Sequence, residues 1–265
     1  MSRALTIFAK GNLDIRDSLY ALRLGDVVLW NGVNEIVRER FPGASIRIRH
    51  ELCTRSDAVL QATGTVPSPL RNKTLPLEPY DCATQFSDAV FNSEADVFVF
   101  SLQADVMTAL ARHRRDDYLF YPYNRENWGR GANEWFEQEF TPPSFLDAEE
   151  SMRDFAQIVE RIRARSDAPI LIYNLSAVVP GEAVRCYAGL PEVLSSRIRR
   201  FNLALIDLSR QTGVAIVDVD RVIARGGADR MKFDTLHLTA EGCRAVAEEV
   251  VEVLDELNCF AAPVG

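Results

Sequence analysis

The chain is short of the features that settle a function from composition alone. It holds only 3 histidines, His50, His113 and His237, none at ligand spacing from another, so no histidine-based metal motif is present. Its 5 cysteines, Cys53, Cys82, Cys186, Cys243 and Cys259, are odd in number, scattered and without a CxxC pair. A disulfide scaffold or zinc ribbon needs closer spacing, so reduced thiols in a cytoplasmic protein are expected. Long apolar runs are missing as well. Ala4–Ala9, following Arg3, is too brief for a secretory h-region or a membrane span. Positive charge is not in excess: the net charge is −8 and the pI near 5.1. The one basic run, His113-Arg114-Arg115, meets Asp116-Asp117 at once and reads as a solvated turn. Neither nucleic acid nor an anionic membrane is an expected partner. Lys10-Gly11-Asn12-Leu13-Asp14 supplies one glycine and an acid, which is no phosphate-cradling loop, so a nucleotide or phosphate binder ranks last.

What is present is an alternation of strands and helices. Ala4–Phe8, Ile46–Ile48, Asp96–Phe100, Pro169–Tyr173 and Val214–Val219 are continuous apolar segments, as strands buried on both faces of a parallel sheet must be. Helical periods separate them: Val33, Ile36, Val37 and Phe41; Met152, Phe155, Val159 and Ile162; Ile198, Phe201, Leu205 and Leu208. A last helix begins near Ala240 with Val246, Val250, Val253 and Leu257 on one stripe, and Thr239 is its natural N-cap. Gly213 stands where the preceding helix must stop. The fold class is therefore α/β: a three-layer α/β/α sandwich on a five-stranded parallel sheet, with ligands at the carboxyl ends of the strands. Residues 1–265 are expected to form a single domain. The proline-rich Gly64–Pro79 is an irregular excursion, and the aromatic-rich stretch at about 116–143 is either an insertion or lid over a pocket, or a satellite hydrophobic cluster.

The chemistry points to Asp234-Thr235-Leu236-His237-Leu238, just ahead of the last helix. A carboxylate three residues before an imidazole can set its tautomer and steady the imidazolium formed during attack on an acyl carbon. With the order of elements, and with Asn202 and Asp218 preceding it, this block resembles the DxxHL block of the SGNH/GDSL hydrolase superfamily. The resemblance implies a flavodoxin-like sheet and a serine nucleophile in a Gly-Asp-Ser-Leu run after the first strand. Arg16-Asp17-Ser18-Leu19 keeps three of those letters but lies far beyond the strand end. Gly11-Asn12 is nearer, and that frame puts Leu13 at the serine position. The family's oxyanion glycine and its Gly-x-Asn-Asp block have no match in His50–Asp57 or in Leu102-Gln103-Ala104-Asp105.

The resemblance implies a serine hydrolase acting on an ester or acyl derivative of a small metabolite. In that reading Ser18 attacks, His237 takes its proton and Asp234 orients the ring. Arg55, Gln103, Asn174 or Asn12 then serves the oxyanion or the substrate. The expected partner is a small acyl substrate, with no metal or organic cofactor, and transfer to an alcohol or amine would make it an acyltransferase. The alternative is an SGNH-fold binding or scaffold domain, or an enzyme whose chemistry no longer uses serine, because fold does not dictate site chemistry.

Overall fold

A computed structural model describes residues 3–261 other than 185, 187 and 190. The chain forms two compact units. One comprises Met1–His50, Glu94–Gln103 and Asp167–Gly265, and the other Glu51–Ser93 and Ala104–Ser166.

The first unit carries the sheet. Its strands are β1 (Arg3–Lys10), β2 (Ala44–Glu51), β3 (Val97–Ser101), β4 (Ile170–Tyr173) and β5 (Ala215–Val217), in the order β2-β1-β3-β4-β5. The pairs β1–β3, β3–β4 and β4–β5 are parallel, with Ile7 opposite Val97, Phe98 opposite Ile170 and Leu171 opposite Ala215. This is the flavodoxin-like order, and all five expected strands are present. The helices of this unit are α1 (Leu13–Leu19), α2 (Asn34–Arg40), α3 (Leu194–Thr212), α4 (Val219–Gly226), α5 (Ala228–Met231) and α6 (Ala240–Glu256). A small hairpin, Leu22–Leu24 with Val27–Trp30, stands apart from the main sheet.

Strand pleat sends Ile7, Ala9, Val97, Val99, Leu171 and Val217 into one buried cluster with α2 and α6. Each of the Ile, Val and Leu side chains contributes about 1.5–3 kcal/mol by leaving water. Helix α6 starts where expected, the Thr239 hydroxyl accepting from Gly242 N at 3.2 Å. Its inward stripe differs from the expected one: Cys243, Val246, Val250 and Leu254 are buried, whereas Leu257 is exposed. Val253 stands at the margin of the buried stripe, partly buried against the same cluster, and Leu257 follows the last helical residue, Glu256. Gly213 ends α3 at a φ of 68°, a left-handed position that disfavours any side chain.

In the second unit the helix Ala148–Arg163 opens with a capping box, Asp147 and Glu150 each bonding the other's backbone N–H. It buries Met152, Phe155, Val159 and Ile162, as the sequence period predicts. Asp105 sits at the centre of a buried knot, accepting from Ser56 N at 2.7 Å, from the Ser56 hydroxyl, and from the Ser151 hydroxyl at 2.5 Å. Residues 116–143 are folded, not open loop: strand Leu119–Phe120 pairs with Ala111–Arg112, and the helix Arg130–Glu139 follows. Their aromatic side chains are core. Phe120, Trp128, Phe136 and Phe140 are all buried, and the Phe136 and Phe140 rings stack at 4.9 Å. Among the described residues, no helix is long and apolar enough to cross a membrane.

Candidate active site

The loop between α5 and α6 is a tight turn held closed by Phe233 N bonding His237 O at 2.9 Å, beside an antiparallel bridge from Lys232 to Leu238. Within it Asp234 organises everything. Its Oδ1 accepts from Leu236 N and His237 N, each at 2.8 Å, and its Oδ2 accepts from His237 Nδ1 at 2.8 Å. A carboxylate only accepts, so Nδ1 carries the proton and Nε2 carries the lone pair, the tautomer a general base requires. Among the described residues nothing bonds Nε2, and the imidazole is 44% exposed. Partial desolvation pushes the Asp234 carboxyl up. The His237 backbone and ring and the Leu236 N–H outweigh it and hold the carboxyl at about 2. The dyad anticipated from sequence is thus assembled, with its carboxylate charged at any ordinary pH.

Lys232, which the sequence reading did not single out, anchors this loop. Its ammonium donates to Val178 O at 2.7 Å, tying the turn to the segment after β4. Burial lowers its pKa, against the pull of Asp234 and Asp220. A lysine beside such a turn is too common a surface residue for sequence to flag.

At the carboxyl ends of β1 and β3 the chain buries an unusual density of polar side chains: Lys10, Asn12, Asp14, Ser101 and Gln103. A Cβ on Gly11 would lie 2.4 Å from Ile15 Cδ1, so the tip of that side chain would have to shift. The Ser101 hydroxyl donates to Asp14 and accepts from Gln103 N at 2.9 Å. The other Asp14 oxygen, Oδ1, is buried without a hydrogen bond. Burial raises the Asp14 carboxyl to about 6, against the lowering effect of Ser101 and nearby backbone N–H groups. Arg16 pairs with its neighbour Asp17 at 2.7 Å.

The other predicted residues divide sharply. Asn12 immediately precedes α1 at the sheet edge, and no hydrogen bond to another described residue engages the side-chain amide of Gln103 at the start of its helix. Asn174 spends its amide on structure, donating to Asp218 Oδ1 at 2.8 Å and accepting from Asp220 N at 3.0 Å. Arg55 belongs to the second unit and is committed there. It is buried, forks onto Asp57 at 2.8 and 2.7 Å and donates to Ser144 O at 2.6 Å. Neither is a free oxyanion donor.

Ser18 requires a correction. It lies inside α1, 0% exposed, with its hydroxyl donating to Asp14 O at 2.9 Å and bonded to the Tyr173 hydroxyl at 3.2 Å. A nucleophile must reach an acyl carbon, and this oxygen is enclosed and saturated. Since β1 ends at Lys10 and α1 begins at Leu13, the strand-to-helix turn is Gly11-Asn12, and the family's serine position falls on Leu13.

Comparison with known proteins agrees with the architecture. Residues 123–245 match the GDSL-like Lipase/Acylhydrolase family, a stretch that contains the Asp234–His237 turn and excludes the first loop. No curated protein matches. Among solved structures the chain is similar to an acetyl xylan esterase, AlAXEase (11% identity, 94% of this chain and 98% of that one, TM-score 0.53). It is also similar to a member of the lipolytic protein G-D-S-L family from Veillonella parvula (9%, 96% and 99%, TM-score 0.50). A third is LAE5, an alpha/beta hydrolase enzyme from the metagenome of Lake Arreo, Spain (13%, 97% and 97%, TM-score 0.51). At such identities the likeness speaks for the fold. Sheet order and the structural likeness show the fold these hydrolases share, and the matched stretch, with its Asp234–His237 turn, is similar to the GDSL-like Lipase/Acylhydrolase family.

Proposed function

We propose that this protein transfers the acyl group of a small-molecule ester to water or another hydroxyl, by general-base catalysis without an acyl-serine intermediate. The observation that carries this is the His237 imidazole, fixed by Asp234 through Nδ1 and open at Nε2. His237 Nε2 takes a proton from the attacking hydroxyl as its oxygen bonds to the acyl carbon. The imidazolium then returns that proton to the departing alkoxide as the ester C–O bond breaks, so the charge balances. The Gln103 amide is the donor best suited to the oxyanion, being uncommitted among the described residues. The esterase names of the structural relatives support an acyl ester as the substrate class.

The test combines turnover of a generic acyl ester, such as p-nitrophenyl acetate, with labelling by a fluorophosphonate. His237→Ala should lose about 10²–10⁴-fold in rate, Ser18→Ala should retain activity, and no serine should be labelled. Labelling that disappears in Ser18→Ala would overturn the mechanism and restore Ser18 as nucleophile. Leu13 at the serine position favours a second reading, a binding domain without chemistry. Under it no ester in a panel of acyl chain lengths turns over.

A further inference from the structure

A second cleft, of about 760 Å³, lies in the first unit along the outer edge of β5. One wall is a stripe of α3, Arg199, Asn202, Leu203 and Ile206; the other is a stripe of α6, Glu249, Glu252, Val253 and Glu256. Both stripes follow the i, i+3, i+4, i+7 spacing of a single helix face. The α6 wall, Glu249 to Glu256, lies nine to sixteen residues beyond the first residue of α6, about 14–24 Å along the axis from the helix end next to His237.

Its floor is unusual. β5 ends the sheet, with no strand beyond it among the described residues. Val217 O accepts from Asn174 N at 3.2 Å, on the β4 side. Successive residues of a strand present their backbone groups to opposite sides, so Ile216 directs its N–H and C=O outward, toward the open edge. Ile216 itself lines the cleft. Around that unpaired edge the helices leave Leu203 65% and Ile206 47% exposed. A soluble surface does not need such side chains between two helices, and natural sheet edges are usually blunted. β2, the opposite edge, is blunted: Asn34 bonds both Ile46 N and Ile46 O there.

The charge is one-sided. Among the described lining residues, Asp218, Asp220, Glu249, Glu252 and Glu256 outnumber Arg199 and Arg221, and Arg40 also reaches Glu252 at 3.5 Å. Of the two lining arginines, Arg221 is already clamped by Glu249 and leans on Asp218. We infer that this cleft is a docking groove for an extended peptide segment of another protein, alternating apolar and basic residues, which adds to β5 as a further strand. Backbone pairing with Ile216 supplies the register, alternate apolar side chains cover Leu203 and Ile206 on the α3 wall, and lysine or arginine side chains on the other face meet the carboxylates of the α6 wall.

The experiment uses the full chain and two fluorescein-labelled synthetic peptides, one alternating Val and Lys, the other alternating Val and Glu, read by fluorescence anisotropy. The Val/Lys peptide should bind saturably and more weakly as salt rises. Its affinity should fall by about tenfold or more in Leu203→Asp and in a Glu252→Lys, Glu256→Lys double variant. All three substitutions are on the surface, and ester turnover serves as a check that the variants are folded. Amide exchange at Ile216 should slow when the Val/Lys peptide is bound. Equal binding of the Val/Glu peptide, no saturable binding up to millimolar concentration, or indifference to the charge reversal would overturn the inference. So would self-association of the wild type that Leu203→Asp abolishes, which would make a second copy of the chain the occupant.

Discussion

Asp14 is the sharpest place to test the structure without knowing a substrate. Its carboxyl is buried between α1 and β3, one oxygen bonded by Ser101 and the other by nothing. Burial lifts its pKa from the ordinary 3.8 to about 6. The sign of the pH effect follows. Between pH 3.8 and 6 the unfolded chain has released this proton while the folded protein still holds it, so stability falls as pH rises through that window. At about 1.4 kcal/mol per pH unit, the shift amounts to roughly 3 kcal/mol of stability present below pH 4 and gone above pH 6. Asp14→Asn keeps the shape and can still bond Ser101 but cannot ionise. Urea unfolding of both proteins from pH 4 to 8 should therefore show the variant gaining on the wild type by roughly 3 kcal/mol across that range, most of it between pH 4 and 6. Asp105 sits in the other unit with its carboxyl also raised to about 6, so its slope remains in both proteins and cancels in the difference. A difference that stays flat with pH, or one in which Asp14→Asn loses ground above pH 6, would refute the reasoning. It would mean that Asp14 is ionised and compensated in the folded state.

Other outcomes follow from the same geometry. Asp234→Asn leaves an amide where His237 Nδ1 needs an acceptor; ester turnover should fall by up to about 10⁴-fold, the size seen when a comparable aspartate is neutralised in a serine protease, with thermal stability little changed. Gln103→Ala should lower kcat by about 10²-fold with KM nearly unaltered if its amide meets the oxyanion; an effect on KM alone would assign it to substrate binding instead. Thr239→Ala removes the cap of α6 and should cost about 1 kcal/mol in urea unfolding. Phe136→Ala empties the middle of the aromatic cluster in the second unit and should cost about 3–5 kcal/mol, as a lower urea midpoint.

Much of the fold was legible because two periods are hard to disguise. Val97 to Phe100 and Ile170 to Tyr173 are apolar at every position because both faces are covered, and each segment became a strand of the parallel sheet. Thr239 and Gly213 announced the ends of their helices through hydroxyl capping and a left-handed φ, and both served as expected. The aromatic stretch was legible as apolar but not as to purpose. Composition cannot distinguish rings that line a pocket from rings that face each other, and here Phe120, Trp128, Phe136 and Phe140 do the latter. Val253 does pack against the core, at the edge of the stripe where it also lines the β5 cleft, whereas Leu257 falls past the end of α6 at Glu256, a boundary the period does not announce.

The candidate site divides along the same physical line. Asp234 and His237 were found because their relation is local: three residues and one turn bring carboxylate to imidazole, whatever the rest of the chain does. Ser18 was misplaced because its relation is not local. The letters Asp-Ser-Leu are identical whether they sit on an exposed strand-to-helix turn or one turn into a helix. The start of α1 separates the two, and it starts at Leu13, directly after Gly11-Asn12. That start leaves Ser18 on the inner face of α1, its hydroxyl returned to the backbone of Asp14 in the i−4 manner usual for a mid-helix serine. It also brings Asp14 against Ser101 at the end of β3. A charged letter at that place in the sequence reads as a solvated loop residue, and the fold makes it a buried acid at the carboxyl edge of the sheet.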